Sequence, residues 1–304
     1  MKQYLVIDIG GTHVKFALMD AKGTILKRAK VDLKSENLID FMQKIKAVCD
    51  TYQDEFEGIA ISAPGKVDAQ TNTLYFGGSL PFLDGVNFQK LLGDQYNVPI
   101  SLENDGKCAV LAEYWLGNLK NATNSAVLVL GTGVGGGIII NGQLLRGSHF
   151  QAGEVSFMKA NATKHDWHGM YGSTASAVEL IEKINQLKHQ AELTDGKKAF
   201  EYINAHDHQV WPVFEKYCYQ VACLILNIQT VVDLEKYAIG GGISAQPIVI
   251  ETIKKQYGKL LDEDEMLKNT LTPPQIVTTK FKNDANLYGA LYSLIQLKEV
   301  VTKH

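Results

Sequence analysis

The order strand, glycine turn, strand, short turn, strand occurs twice in this chain, and that recurrence constrains its fold more than any other feature. The first copy runs from apolar residues 4–9 through Gly10-Gly11 to a strand over 14–19, and Lys22-Gly23 turns it into a third strand near 25–31. Gly-Gly between two strand-like runs is a tight-hairpin pattern. The second copy opens on Val127-Leu-Val-Leu130, passes through Gly131-Thr-Gly-Val-Gly-Gly-Gly137, resumes as a strand over 138–140 and turns at Asn141-Gly142. A spacing of about 120 residues is long for a solenoid repeat and right for a duplicated domain. Periodic apolar residues predict helices over 38–52, 88–96, 107–115, 174–190, 210–232 and 247–257, and Leu287, Leu291 and Leu294 mark a closing helix. Short buried strands fall at 58–62, 99–102 and 237–242. Such alternation predicts an α/β fold of two lobes, with a nucleotide-sized cleft between them.

Composition agrees and excludes several classes. The 304 residues have the length of two domains. Thirty Lys and Arg against 33 Asp and Glu give a net charge of −3, which offers no basic footprint for nucleic acid or an anionic membrane. The longest apolar run, 221–226, falls far short of the roughly 20 residues of a membrane helix. Asp8 ends the N-terminal apolar stretch too early for a signal peptide. Cys49, Cys108, Cys218 and Cys223 lack the two-residue spacing of a zinc knuckle or redox pair. A cytoplasmic protein without nucleic-acid or membrane partners is expected.

The 27 glycines are clustered, and each cluster follows a strand. Glycine lets backbone N–H groups approach a ligand, and successive N–H groups form an anion-binding nest. Gly131-x-Gly133-x-x-Gly136 matches the dinucleotide fingerprint in its letters, but that motif needs a helix next, and Ile138-Ile-Ile140 is a strand. No loop ends in Gly-Lys-Ser/Thr, so no P-loop is present. Two hairpin loops remain, 8–12 and 131–137, with a third turn at Gly240-Gly241-Gly242. From duplicated lobes they fit a clamp on a polyphosphate. Gly10, Gly11, Gly131 and Gly133 supply backbone, and the hydroxyls of Thr12 and Thr132 are extra donors. Asp8, ending a buried strand beside the first loop, is placed to hold a hydrated Mg2+.

A second chemical signal is Leu102-Glu-Asn-Asp-Gly106, between a strand and the helix at 107–115. Phosphoryl transfer needs in-line positioning, charge neutralisation and one group to take the hydroxyl proton. Asp105 suits that general base, and Asn104 suits hydrogen bonding to neighbouring hydroxyls of the acceptor. The competing interpretation is that Asn-Asp simply caps the helix.

Together, Asp8-Ile-Gly-Gly-Thr12, Ser62-Ala-Pro-Gly65, Glu103-Asn-Asp105, Leu130-Gly-Thr-Gly-Val-Gly-Gly-Gly137, Gly153-Glu154 and Ile239-Gly-Gly-Gly242 resemble the ROK family (repressor, open reading frame, kinase) of sugar kinases, in order and spacing over nearly the whole chain. The resemblance implies the two-lobed, actin-like (ribonuclease-H-like) ATPase fold, a duplicated domain with nucleotide and sugar in the interlobe cleft. It implies an ATP- and Mg2+-dependent hexose kinase, usually a homodimer. Carried over, Asp105 is the catalytic base, Gly65, Asn104 and Glu154 contact the sugar, and the glycine loops hold ATP. The lobes expected are 1–106 with 285–304, and 107–284.

Two departures bear on the acceptor. The family's Gly-Glu-x-Gly-His appears here as Gly153-Glu-Val-Ser-Phe157, with Phe157 in place of the His. Its cysteine-rich zinc loop is replaced by Lys164-His-Asp-Trp-His-Gly-Met-Tyr-Gly172, where Gly169 stands in place of a sugar-contacting Glu. No structural zinc is expected, and His165 and His168 read as surface residues. Losing the polar grip on the C1/C2 end and gaining Phe157 favours an acceptor with a bulky C1 substituent, since aromatic faces pack against sugar C–H surfaces. Trp167 and Tyr171 nearby suit a disaccharide. The expectation is therefore phosphorylation of the 6-hydroxyl of a β-glucoside such as cellobiose. The alternatives are a glucose, N-acetylmannosamine or N-acetylglucosamine kinase, and a non-catalytic sugar-sensing regulator.

Overall fold

Residues 3–32 form three antiparallel strands, β1 (Gln3–Ile9), β2 (His13–Asp20) and β3 (Ile25–Asp32), in a computed structural model that describes residues 2–32 and 34–301. Helix α1 (Leu38–Tyr52) follows, capped by Asn37, whose side chain accepts from the Asp40 N–H. Strand β4 (Ile59–Ala63) pairs parallel to β1. It is buried at every residue, the continuous apolar pattern of a strand covered on both faces. A small sheet that the sequence does not predict comes next, β5 (Lys66–Asp68), β6 (Thr73–Tyr75) and β7 (Val86–Asn87).

The single helix expected over 88–96 is a π-helical run, Gln89–Gly93, and then a three-residue α2 (Asp94–Tyr96) ended by left-handed Asn97. Gly93 is a poor helix former in the middle of the segment. Strand β8 (Ile100–Asn104) completes the order β3-β2-β1-β4-β8 and leads directly into α3 (Asp105–Leu116). Leu5, Ile7 and Ile9 pack with Phe41 and Ile45 of α1. Tyr4 and Val6, on the other face, pack with Leu287, Leu291 and Leu294 of the C-terminal helix Ala285–Val301. The period of two along β1 thus serves two cores.

The second sheet repeats the plan. Strands β9 (Ser125–Leu130), β10 (Val134–Ile140), β11 (Gln143–Leu144), β12 (Lys236–Gly240) and β13 (Gln275–Thr278) are ordered β11-β10-β9-β12-β13. Strand β9 pairs antiparallel to β10 and parallel to β12. The helices are α4 (Tyr171–Thr174), α5 (Ala177–Leu187), α6 (Gly196–Asn204), α7 (Trp211–Val232), α8 (Pro247–Asp262) and α9 (Glu265–Thr270). The helix expected over 174–190 is therefore shorter, because Ser176 starts α5 by accepting from the Glu179 N–H.

The chain divides into two compact units, 1–117 with 144–152 and 283–304, and 118–143 with 153–282. The boundary differs from the expected break at 106. Helix α3 stays with the first unit, where it packs so tightly on the C-terminal helix that a Cβ on Gly289 would collide with the Cys108 carbonyl. Residues 144–152 join the same unit through Arg146 and Phe150, described below. Among the described residues no helix is long and apolar enough to cross a membrane.

Candidate active site

At the end of β8 three consecutive side chains take three separate tasks. Glu103 is 1% exposed, and its Oε2 receives Arg146 Nη2 at 2.8 Å and Nε at 2.9 Å. Its Oε1 accepts the Asn104 N–H at 3.0 Å. Asn104 caps α3, its Oδ1 accepting from the Lys107 N–H. Its Nδ2 donates to the Gly65 carbonyl and to Asp105 Oδ1, both at 3.0 Å. Asp105 Oδ1 also accepts the Gly106 N–H at 2.8 Å. Asn104 thus does the capping, and Asp105 is held at the positive end of a helix that favours its carboxylate form. The buried Lys107 ammonium donates to the Phe150 carbonyl at 3.2 Å, a second tie to segment 144–152.

Gly65 sits at φ +96°, and a Cβ there would overlap the Phe76 carbonyl, so no other residue fits that turn without moving backbone. The first loop lies in the same unit. The Gly10 N–H closes the hairpin on the His13 carbonyl at 3.0 Å, and Thr12 is exposed. A Cβ on Gly11 would stand 2.9 Å from Ser79 Oγ. Asp8 is 5% exposed; its Oδ1 accepts from Asn286 Nδ2 at 3.0 Å, and Lys15 Nζ lies 3.3 Å from Oδ2. Burial pushes the Cys108 thiol well above its ordinary pKa, and the charges of Glu103, Asp8 and Asp105 push the same way. Pairing across β1, β4 and β8 sets Asp8, Ser62 and Glu103 side by side, so the carboxylates of Asp8, Glu103 and Asp105 lie at one end of this sheet. Asp8, Gly10, Gly11, Gly65, Asn104 and Asp105 are all brought together within the first unit.

The second unit carries the rest. The expected glycine turn over 131–137 is shorter: the Gly131 N–H donates to the Gly133 carbonyl at 2.9 Å, and β10 already begins at Val134. Gly135, Gly136 and Gly137 are strand residues paired to β9. Close approach explains Gly136, where a Cβ would stand 2.7 Å from the Gly153 carbonyl. That contact seats Gly153 (φ +88°), and half-buried Glu154 follows it. Ser156 Oγ accepts the Val134 N–H at 2.9 Å and donates to its carbonyl at 3.0 Å, clipping the loop that exposes Thr132. Gly241, at φ +94°, lies against the Leu130 carbonyl, between buried Gly240 and exposed Gly242. The Ala177 N–H at the start of α5 donates to the Gly131 carbonyl at 2.9 Å. Beside these loops is a cavity of about 530 Å3 lined by Gly131, Ala177, Val178, Phe200, Gly242 and Ile243.

Phe157 is 64% exposed and meets Trp167 edge-on, ring centres 6.2 Å apart. Gly169 is enclosed: a Cβ there would stand 2.7 Å from the Lys164 carbonyl, so the backbone has no room for a longer side chain. Tyr171, expected beside a disaccharide, belongs to the core instead. It is 3% exposed and accepts from Asn227 Nδ2 on α7, because its phenol needs a partner once buried. His165 and His168 are exposed.

Sequence reasoning missed Lys15, Arg146, Ser156, Asn286 and the cavity wall. The sequence signals only that some cation is needed, since Glu103 ends an apolar strand and a buried carboxylate requires one, and it does not say which.

Two five-stranded sheets of one order, each opened by a glycine hairpin, make this the two-lobed, actin-like ATPase fold. The ROK family profile matches residues 4–296, and the chain belongs to that family. It is 30% identical to a beta-glucoside kinase of Listeria monocytogenes, over 95% of this chain and 96% of that one. It is 27% identical to an N-acetylmannosamine kinase of Haemophilus influenzae, over 95% and 94%. The crystal structure of a ROK family protein from Streptococcus pneumoniae in complex with sucrose superposes with a TM-score of 0.89, at 30% identity over 98% of this chain and 99% of that chain.

Proposed function

We propose an acceptor for what is, by family and fold, a sugar kinase: the 6-hydroxyl of a glucosyl sugar bearing a C1 substituent, a β-glucoside such as cellobiose. The observation that carries this is the exposed Phe157–Trp167 pair beside a Gly169 that admits no side chain. An apolar wall there gives an aglycone surface to bury, at about 25 cal/mol per Å2, which free glucose lacks.

Asp105 takes the proton of the 6-hydroxyl, whose oxygen attacks the γ-phosphorus of ATP in line; the bond to the bridging oxygen breaks, and ADP leaves with its electron pair. Asn104 and Gly65 orient the acceptor, joined by their own hydrogen bond. Glu154 contacts the sugar as well. Gly10, Gly11 and Thr12 hold phosphates, as do Gly131, Thr132 and Gly133. Gly240 to Gly242 border the cavity that takes the nucleoside. Asp8 fits a hydrated Mg2+, because a single buried carboxylate with phosphate oxygens suffices for an ion that keeps most of its waters. Bound there, Mg2+ would neutralise charge on the phosphates. We place the enzyme in the cytoplasm, where ATP is available, and as a homodimer, which light scattering tests.

The deciding experiment is ADP release with Mg·ATP across cellobiose, aryl β-glucosides, glucose, N-acetylmannosamine and N-acetylglucosamine. A β-glucoside should exceed glucose in kcat/KM by about tenfold, which corresponds to 1.4 kcal/mol. Phe157→His should narrow that ratio. A free hexose or N-acetylhexosamine outperforming every β-glucoside overturns the acceptor and leaves the kinase.

A further inference from the structure

We propose that Phe76 is the platform for the part of the acceptor that projects beyond the glucosyl ring, its aglycone or second sugar. The inference rests on the β-glucoside acceptor above and names the surface of the first unit that receives it.

Phe76 lies just past β6 with φ +52°. That region is uncommon for any non-glycine residue and a genuine outlier for a bulky one. Its ring is also 72% exposed. Neither condition favours folding, and the surroundings hold the backbone in place. The Phe76 N–H donates to Asp84 Oδ1 at 3.0 Å, and its carbonyl accepts the Gly78 N–H at 2.7 Å. The same carbonyl occupies the space a Cβ on Gly65 would need. Gly65 in turn is bonded through Asn104 to Asp105. Three residues on, Ser79 meets Gly11 of the first phosphate loop. A strained backbone over-determined by its neighbours is the mark of a functional segment, and this one runs from the acceptor's glycine to the phosphate loop.

An isolated exposed aromatic would mean nothing. Here its backbone is locked to Gly65, so the ring's position follows the acceptor site. With so much of it in solvent, the ring forms a rim rather than a floor. It therefore meets whatever extends out of the site, and an aromatic face suits the C–H face of a second sugar or an aryl group.

Phe76→Gly separates binding from folding, because glycine adopts this φ without strain and the melting temperature should hold or rise. The KM for cellobiose should rise by about fivefold or more, with the KM for glucose and for ATP within about twofold. Phe76→Trp keeps a ring and should keep the cellobiose KM within about threefold of wild type. Calorimetric titration of an aryl β-glucoside without ATP should weaken in Phe76→Gly by the same factor. An unchanged cellobiose-to-glucose ratio in Phe76→Gly overturns the platform, as does an equal loss for glucose. A wild-type enzyme that phosphorylates no β-glucoside overturns the acceptor and the platform with it. That failure shows in the wild type alone, so the two are distinguishable.

Discussion

Replacing Arg146 by methionine should cost stability and acceptor binding together. The guanidinium makes two contacts to Glu103 Oε2, and Glu103 is 1% exposed. Removing one partner of a buried pair costs about 3–5 kcal/mol, because the remaining charge is stranded. The Arg146 side chain is 34% exposed, so water reaches that end of the pair, and the lower figure of about 3 kcal/mol applies. At roughly 2.1 cal/mol/K per residue, 304 residues give an unfolding entropy near 0.6 kcal/mol/K, so the melting temperature should fall by about 5 °C. A first unit melting alone, with about half the residues, should show about twice that. Scanning calorimetry reads the shift directly. Because Glu103 Oε1 holds the Asn104 N–H, a displaced carboxylate should also raise the acceptor KM while leaving that for ATP unchanged. Combining Arg146→Met with Glu103→Gln should restore most of the stability, since a buried amide strands no charge. A single variant melting within about 1 °C of wild type, or a double variant no better than the single, would refute the pairing as the support of Asn104.

Asp105→Asn should lower kcat by about 10²–10⁴ with acceptor binding retained, and activity within about tenfold of wild type refutes its role as base. Gly242→Val projects into space where no atom lies within 4 Å of the added Cβ, at the wall of the second unit's cavity. It should raise the ATP KM by about tenfold with acceptor KM and melting temperature unmoved; an unchanged ATP KM would separate that cavity from the nucleotide. The two-pronged hydrogen bonding of Arg28 lowers the pKa of Asp284, so the stability it contributes is present above the unfolded carboxylate value of about 3.9 and fades as pH falls through the folded one. Urea unfolding of Asp284→Asn should show a deficit at pH 7 that shrinks towards about pH 2.5, and a deficit equal at both refutes the linkage.

What the sequence disclosed was what a few neighbouring residues decide. Strands β1, β2 and β3 were legible because Gly10-Gly11 and Lys22-Gly23 punctuate apolar runs within a few residues of their own turns. The sheet of β5, β6 and β7 was not, because strands of two or three residues leave too little pattern to detect. Gly135, Gly136 and Gly137 have the pattern of a loop, because glycine is depleted in strands. Pairing with β9 and the approach of Gly153 overrode that preference. At the site, Asp105 and Asn104 were legible as adjacent polar residues after a strand, whereas Arg146 and Asn286 reach Glu103 and Asp8 from far along the chain. Phe76 looks like any aromatic until its φ is known.

The matched ladders differ in one respect. In the first sheet the residue two positions before the hairpin is Asp8, flanked across the ladder by Lys15 and Ser62. In the second sheet the corresponding residue is Val129, flanked by Gly135 and Gly240. A common scaffold has thus been given two surfaces of opposite character, one bearing a carboxylate, an ammonium and a hydroxyl, the other little more than bare peptide. At this rung only the first sheet offers side-chain charge, so the duplication has kept the ladder and not the chemistry it carries.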